Sequence, residues 1–241
     1  MARSRPRPSV RGMAGLRERL ARRIWTPPPP PKPPRDPELV ELDRLRDAWK
    51  DGPVRDDRIN EHLALVLDKS GVPGGRVLEI GGRGHPRHRV FDADRFEYLN
   101  LDLAETGPGV IIGDITHCPE IPDASFDVVL SVDVFEHIDR PWLAGEEIVR
   151  ILRPGGLVYT STLFSWRYHP CPIDYWRYTP EALAFLMRST DTIDQGFDAT
   201  ERRRDVRKKA AEDPMPFDAL GGWRENVRVF HAGVKPRRRP A

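Results

Sequence analysis

The 241-residue sequence predicts a doubly wound α/β sheet, mostly parallel, on two observations. Five short apolar runs, at 76–80, 97–101, 109–112, 126–131 and 157–162, alternate with segments of helical spacing. Alternation of this kind builds a sheet with helices on its faces. The runs are also nearly continuous in Val, Ile and Leu, as strands buried on both faces require.

Each element has a local signal. Residues 56–70 form a helix that Gly71 is placed to cap. The first strand, 76–80, runs into the glycine-rich turn Gly81-Gly82-Arg83-Gly84. Residues 141–152 form a helix with Asp139 as its N-cap and Leu143, Ile148, Ile151 and Leu152 on its apolar side. Gly155 and Gly156 end that unit. Thr179-Pro180-Glu181 opens another helix, with proline at the first helical position. Residues 226–234 read as a last strand, while 201–212 is charged enough to be a helix or an insertion.

The chain is organised as an arm and a domain. Residues 1–35 are expected to be a disordered basic arm with a proline-rich linker, and 36–241 the folded domain. Within the arm, Met13, Leu16, Leu20 and Ile24 recur at helical spacing among arginines, a pattern that could touch an anionic membrane surface weakly through 13–25. The prolines at 27–31, 33 and 34 form a semi-rigid extended spacer.

Charge narrows the function classes. The net +2 conceals +8 in residues 1–34, +4 in 201–209 and +4 in 235–241, which leaves −14 on the remainder. An acidic body with basic appendages does not suit a nucleic-acid-binding core. Cys118 and Cys171 are the only cysteines, too few and too far apart for a paired metal or redox motif. Free thiols in a reducing compartment are the default, and a cytoplasmic protein is expected. His85, His88 and His117 have no regular ligand spacing, so no structural metal is expected and these histidines are read as surface residues.

The end of the first strand is where such sheets bind ligands. Glycines there let backbone amides approach a ligand closely and permit positive φ. Asp102 ends the next apolar run about twenty residues on, where nucleotide-type cofactors meet a carboxylate for the ribose hydroxyls. A dinucleotide site is disfavoured: G-x-G-x-x-G counted from Gly81 puts Arg83 and Pro86 at the second and third glycines, and counted from Gly82 puts Arg87 at the third.

The ordered series Glu79-Ile80-Gly81-Gly82, Asp102, Gly113-Asp114-Ile115, 122–130, Glu136-His137 and 151–156 resembles class I S-adenosylmethionine-dependent methyltransferases, particularly the methyltransferase type 11-like group. The likeness spans roughly 60–190, and His169-Pro170 with 174–181 resembles a subgroup associated with glycan or secondary-metabolite modification. It implies a Rossmann-like fold whose last strand, at 226–234, is antiparallel. It also implies S-adenosylmethionine as cofactor. Glu79, Gly81 and Gly82 would hold the amino acid end, with Gly84 compensating for Arg83, which stands where the family has glycine. Asp102 would take the ribose, Asp114 and Ile115 the adenine, and Ser131 and Asp133 would lie beneath the methyl donor.

Methyl transfer is an in-line displacement that consumes a sulfonium charge, so alignment and removal of the acceptor's proton carry the catalysis. His137, directly after the fourth strand, is the first candidate base. His169 and Asp174 follow, although Asp174 and Arg177 are spaced to make a structural ion pair as easily. The aromatic segment 164–178 suits a sugar or a planar acceptor. The expected activity is methylation of a small molecule or glycan at oxygen. The alternative is a non-catalytic scaffold or binding protein with the same fold.

Overall fold

The computed structural model describes residues 37, 40, 55–82, 88–104, 107–198, 201–204 and 223–237. The arm's amphipathic pattern at 13–25, the proline spacer at 27–34, and Arg83 and Gly84 lie outside the described residues. The chain divides into two units, residues 1–45 and 46–241, and the sheet belongs to the second.

Helix α1 (Arg55–Ser70) precedes strands β1 (Gly75–Ile80), β2 (Phe96–Asp102), β3 (Val110–Ile112) and β4 (Phe126–Val132). A 3-10 turn (Phe135–His137), α2 (Pro141–Ile151), β5 (Leu152–Ser165), α3 (Pro180–Leu186), β6 (Asp191–Phe197), β7 (Glu201–Arg204) and β8 (Trp223–Val234) complete the order. The sheet runs β3-β2-β1-β4-β5-β8-β6, with β7 paired to β8 off that path. Strands β1 to β5 pair in parallel, and β8 is antiparallel to both β5 and β6. The expected doubly wound sheet with an antiparallel last strand is therefore the one observed.

Alternation along the strands splits the core into two faces. Val77, Val128, Leu130 and Tyr159 pack with Ile59, Leu63, Val66 and Leu67 of α1. Those four helix positions follow the i, i+4, i+7, i+8 spacing of one apolar stripe. On the other face Leu78, Ile80, Val129 and Val158 pack with Ile148 and Ile151 of α2 and Leu183 of α3. The Thr179 side chain caps α3 by accepting from the Ala182 amide at 3.2 Å.

Three expectations are corrected. The N-cap of α2 is Arg140, which makes no side-chain capping bond, and not Asp139. Pro141 at the helix start removes one of the donors a cap would serve. Residues 201–204 are a strand, where a helix or insertion was expected. His88, read as a surface histidine, is buried at 6% exposure, whereas His117 is exposed. His85 lies outside the described residues. Cys118 and Cys171 are both free.

Two expected outcomes follow from packing. A Cβ on Gly145 of α2 would stand 2.5 Å from the Leu186 carbonyl oxygen, a backbone atom that cannot swing aside. Gly145→Ala should push α2 from α3 and lose about 1–3 kcal/mol, seen as a lower urea midpoint at unchanged slope. His231 is fully buried, and burial pushes its pKa down to about 4. Its folded pKa lies below the unfolded 6.5, so the stability it contributes is present above pH 6.5 and is lost as pH falls from there toward 4. Unfolding free energy should fall on the order of 3 kcal/mol across that window. His231→Gln should flatten much of the decline.

Candidate functional site

At the carboxyl ends of β1, β2 and β4 lies a cavity of about 380 Å³. Gly81, Asp102, Asp114, Ile115, Asp133 and His137 all line it, joined by Ile80, Leu101, Val134, Ile138 and Tyr175. No Lys or Arg lines it among the described residues, whereas Asp102, Asp114, Asp133 and Asp139 do. The wall thus presents carboxylates to its occupant, an environment that favours a cation and disfavours a pyrophosphate.

The backbone around the cavity is fixed by the sheet. Gly81 takes φ +71 and its amide donates to the Leu101 carbonyl at 2.8 Å. A Cβ there would sit 2.6 Å from Val134 Cγ2, so only glycine both accepts this φ and leaves that space. Asp102 Oδ1 accepts from the Ala104 amide at 3.0 Å, which turns the chain away at the end of β2. Asp114 Oδ1 accepts from the amide and the hydroxyl of Thr116, each at 2.8 Å. Asp133 has φ +55, and Arg228 from β8 donates to it at 3.1 Å while lying over the Trp166 ring.

Glu79, Gly82 and Ser131 are not among the lining residues. Glu79 is fully buried beneath the turn, where its carboxylate accepts from the Tyr98 hydroxyl at 2.7 Å and faces His88 Nε2 at 3.3 Å. A Cβ on Gly82 would come within 1.9 Å of Asn100 Oδ1 and 2.5 Å of Glu79 Oε2. Ser131 is 1% exposed, with its register partners Ile80 and Thr160 on the adjoining strands.

The segment after β5 is tied down over the 3-10 turn. The Tyr175 amide donates to the Glu136 carbonyl at 2.8 Å, Trp176 Nε1 to the Ile138 carbonyl at 2.9 Å, and the Tyr178 hydroxyl to the Phe135 carbonyl at 2.9 Å. Trp176 and Tyr175 remain 38% and 46% exposed, so the segment offers aromatic surface as well as packing.

His137 and His169 are brought together, with ring centroids 5.1 Å apart, against the buried Glu136. Burial pushes the Glu136 carboxyl up, and the nearby Asp133 charge adds to that, against a bond from Thr162. Asp174 is held differently. Its side chain is 1% exposed and grips Arg177 through two bonds, at 2.5 and 2.7 Å. Burial alone would raise its pKa, but Arg177 and the His169 amide outweigh it and hold the carboxyl at about 2. A carboxylate so engaged orients its neighbours and takes up no proton near neutral pH.

Sequence reasoning left Glu136 and Arg228 without roles. Glu136 stood in a quoted motif, but nothing in its spacing signalled a buried carboxylate. Arg228 lies 95 residues from its partner Asp133, beyond any local pattern.

A parallel sheet ordered 3-2-1-4-5 with an antiparallel strand inserted beyond it, and a carboxylate-lined cavity at its switch point, defines the class I methyltransferase fold. Residues 73–160 match the family model of the methyltransferase domain. A protein of Mycobacterium ulcerans named as a methyltransferase is 42% identical over 110 residues, covering 41% of this chain and 43% of that protein. Another, from Mycobacterium sp. strain JLS, is 36% identical over 101 residues, covering 37% and 40%. The chain thus spans well under half the length of these relatives. Among solved structures, a Bacillus halodurans protein described as a methyltransferase superposes with a TM-score of 0.55 at 13% identity, over 73% of this chain and 99% of that one. A Galdieria sulphuraria protein described as a sarcosine dimethylglycine methyltransferase gives 0.52 at 16%, over 79% and 91%. Residues 73–160 thus resemble a methyltransferase domain, carried on a sheet with the class I methyltransferase fold.

Proposed function

We propose that the chain transfers a methyl group from S-adenosylmethionine to an oxygen of a small-molecule or glycan acceptor. One observation carries the reading: the cavity at the switch point gathers Gly81, Asp102, Asp114, Ile115 and Asp133 with His137 on the same wall. Its carboxylates complement a ligand with a sulfonium and an ammonium group, and its volume falls in the range of small-molecule sites.

In this reading Asp102 accepts from the ribose hydroxyls. Asp114 and the Ile115 amide meet the adenine edge. The turn at Gly81 and Gly82 leaves room for the amino acid end, and Glu79 braces that turn from below. Ser131 supports the floor through the strand, and Asp133 lies near the methyl donor. When bound, the cofactor supplies the electrophilic methyl group. His137 is the group placed to take the acceptor's proton, and His169 flanks it. Asp174 positions His169 through its amide and ring. The exposed faces of Tyr175 and Trp176 suit the apolar face of a sugar or a planar ring.

No described helix is long and apolar enough to cross a membrane. We assign the protein to the cytoplasm on its two free cysteines. The acidic body supports a small acceptor over a nucleic acid. Incubation with methyl-labelled cofactor and a panel of hydroxylated and carboxylated sugars and aromatics tests the reading. Label should appear on oxygen. Cofactor binding with no transfer to any acceptor would favour the non-catalytic scaffold instead.

A further inference from the structure

We propose that Glu136, His137 and His169 form a binding site for one divalent transition-metal ion. One carboxylate oxygen and one nitrogen from each ring lie within 4.8 Å of one another. Glu136 Oε1 is 3.8 Å from His137 Nε2 and 3.9 Å from His169 Nε2.

Hydrogen bonding on the far side of each ring sets what faces this point. His137 Nδ1 is 2.7 Å from the Ile173 carbonyl, which can only accept, so the proton sits on Nδ1. His169 Nδ1 faces the Arg167 carbonyl at 3.2 Å and an Asp174 carboxylate oxygen at 3.2 Å, again two acceptors. In the neutral rings both Nε2 atoms then carry lone pairs. Glu136 is fully buried, and its Oε2 accepts from the Thr162 hydroxyl at 2.6 Å. Its Oε1 is buried without a hydrogen-bond partner. With Glu136 as the carboxylate, three electron-pair donors converge with no donor hydrogen among them.

Protons do not resolve this arrangement, because 3.8 and 3.9 Å are too long for a hydrogen bond from either ring to Oε1. A cation does. Metal–ligand bonds of roughly 2.0–2.2 Å bring neighbouring ligand atoms to about 3 Å, so each group needs to move by less than about 1 Å. Both rings already donate their Nδ1–H to a carbonyl or carboxylate oxygen, the outer support that orients metal-binding histidines. Asp174, locked by Arg177, is that support for His169.

Two imidazoles and one carboxylate suit zinc, iron(II) or cobalt(II) better than magnesium or calcium. Three protein ligands leave positions open, and His137 lines the cavity, so those positions are reachable by an acceptor. A cation there would bind an acceptor hydroxyl or carboxylate oxygen and make its proton easier to lose to solvent, in place of transfer to His137, whose Nε2 would then hold the metal. That last role rests on the proposed function; metal binding itself does not.

The full chain, stripped with a chelator, is titrated with Zn²⁺ against a chromophoric chelator, with S-adenosylhomocysteine binding measured in parallel. One Zn²⁺ per chain should be taken up at micromolar protein. Glu136→Gln and His169→Gln should each weaken uptake at least about tenfold, and Asp174→Asn by a comparable factor, while His117→Gln leaves it unchanged. Uptake absent, or indifferent to Glu136→Gln and His169→Gln, overturns the site. Should those variants not fold, the Co²⁺ form of the unaltered chain decides: its proton spectrum should show two shifted, exchangeable ring N–H signals, and their absence overturns the proposal. S-adenosylhomocysteine binding without metal uptake sinks the metal site alone, and metal uptake without it sinks the cofactor reading alone.

Discussion

Asp102→Ala should weaken S-adenosylhomocysteine binding on the order of 100-fold while the fold survives. Asp102 closes β2, lines the cavity and spends one oxygen on the Ala104 amide, a turn that solvent can satisfy when the carboxylate is removed. The ribose of a nucleoside ligand would lose two hydrogen bonds to a charged acceptor. Such bonds contribute about 1.5–3 kcal/mol each, and the lower end, about 3 kcal/mol for the pair, is a change on the order of a hundredfold in affinity. Circular dichroism and the urea midpoint should stay near those of the unaltered chain. Calorimetry reads the affinity, and equal affinity in both proteins would remove Asp102 from the site.

Asp133→Ala should instead cost stability, about 3 kcal/mol, through two separate physical causes. The change leaves the Arg228 guanidinium, 8% exposed, without its carboxylate partner, and removal of one member of a buried ion pair is costly. It also asks alanine to hold φ +55, a conformation in which L-residues other than Asn, Asp and Gly are strained by roughly 1 kcal/mol or more. Asp133→Asn tolerates that φ and keeps an acceptor for Arg228, so its loss should be well under half as large. Denaturant unfolding of the two variants measures both losses. Equal losses would mean that neither the backbone conformation nor the neutral acceptor contributes.

The architecture was legible in the sequence because its signals are local. The strands of the sheet centre are continuous apolar runs, and the predicted bounds of β1, β2, β3 and β4 differ from the observed ones by one residue at most at either end. β5 runs longer than expected because Phe126 pairs with Leu152 at one end and Ser165 with Val227 at the other, contacts set by partners distant in sequence. β6 was not foreseen. Its sequence, DTIDQGF, is polar because it lies at the sheet edge with β8 as its one partner on the sheet path, so no apolar run is needed.

The site was legible in the same proportion. Gly81, Asp102, Asp114 and Asp133 stand at strand ends, where position along the chain already fixes position in space, and all four line the cavity. Glu79 also stands in the first strand, but side-chain alternation sends it beneath the turn toward Tyr98 and His88. The metal expectation rested on regular spacing among His85, His88 and His117. Glu136, His137 and His169 were invisible to that test, since the segment after β5 folds back over the 3-10 turn to bring residue 169 beside 136 and 137. The buried ion pair of Asp174 shows the converse case. A three-residue spacing to Arg177 did signal a contact, and only the geometry shows that contact to be too tight for proton transfer.

Calorimetric titration of the full chain with S-adenosylhomocysteine addresses the cavity most directly. The carboxylate-lined hollow at the switch point predicts one site per chain, with a dissociation constant in the micromolar range and competition by S-adenosylmethionine. No heat from either compound at sub-millimolar concentration would contradict the cofactor assignment and leave the fold alone standing.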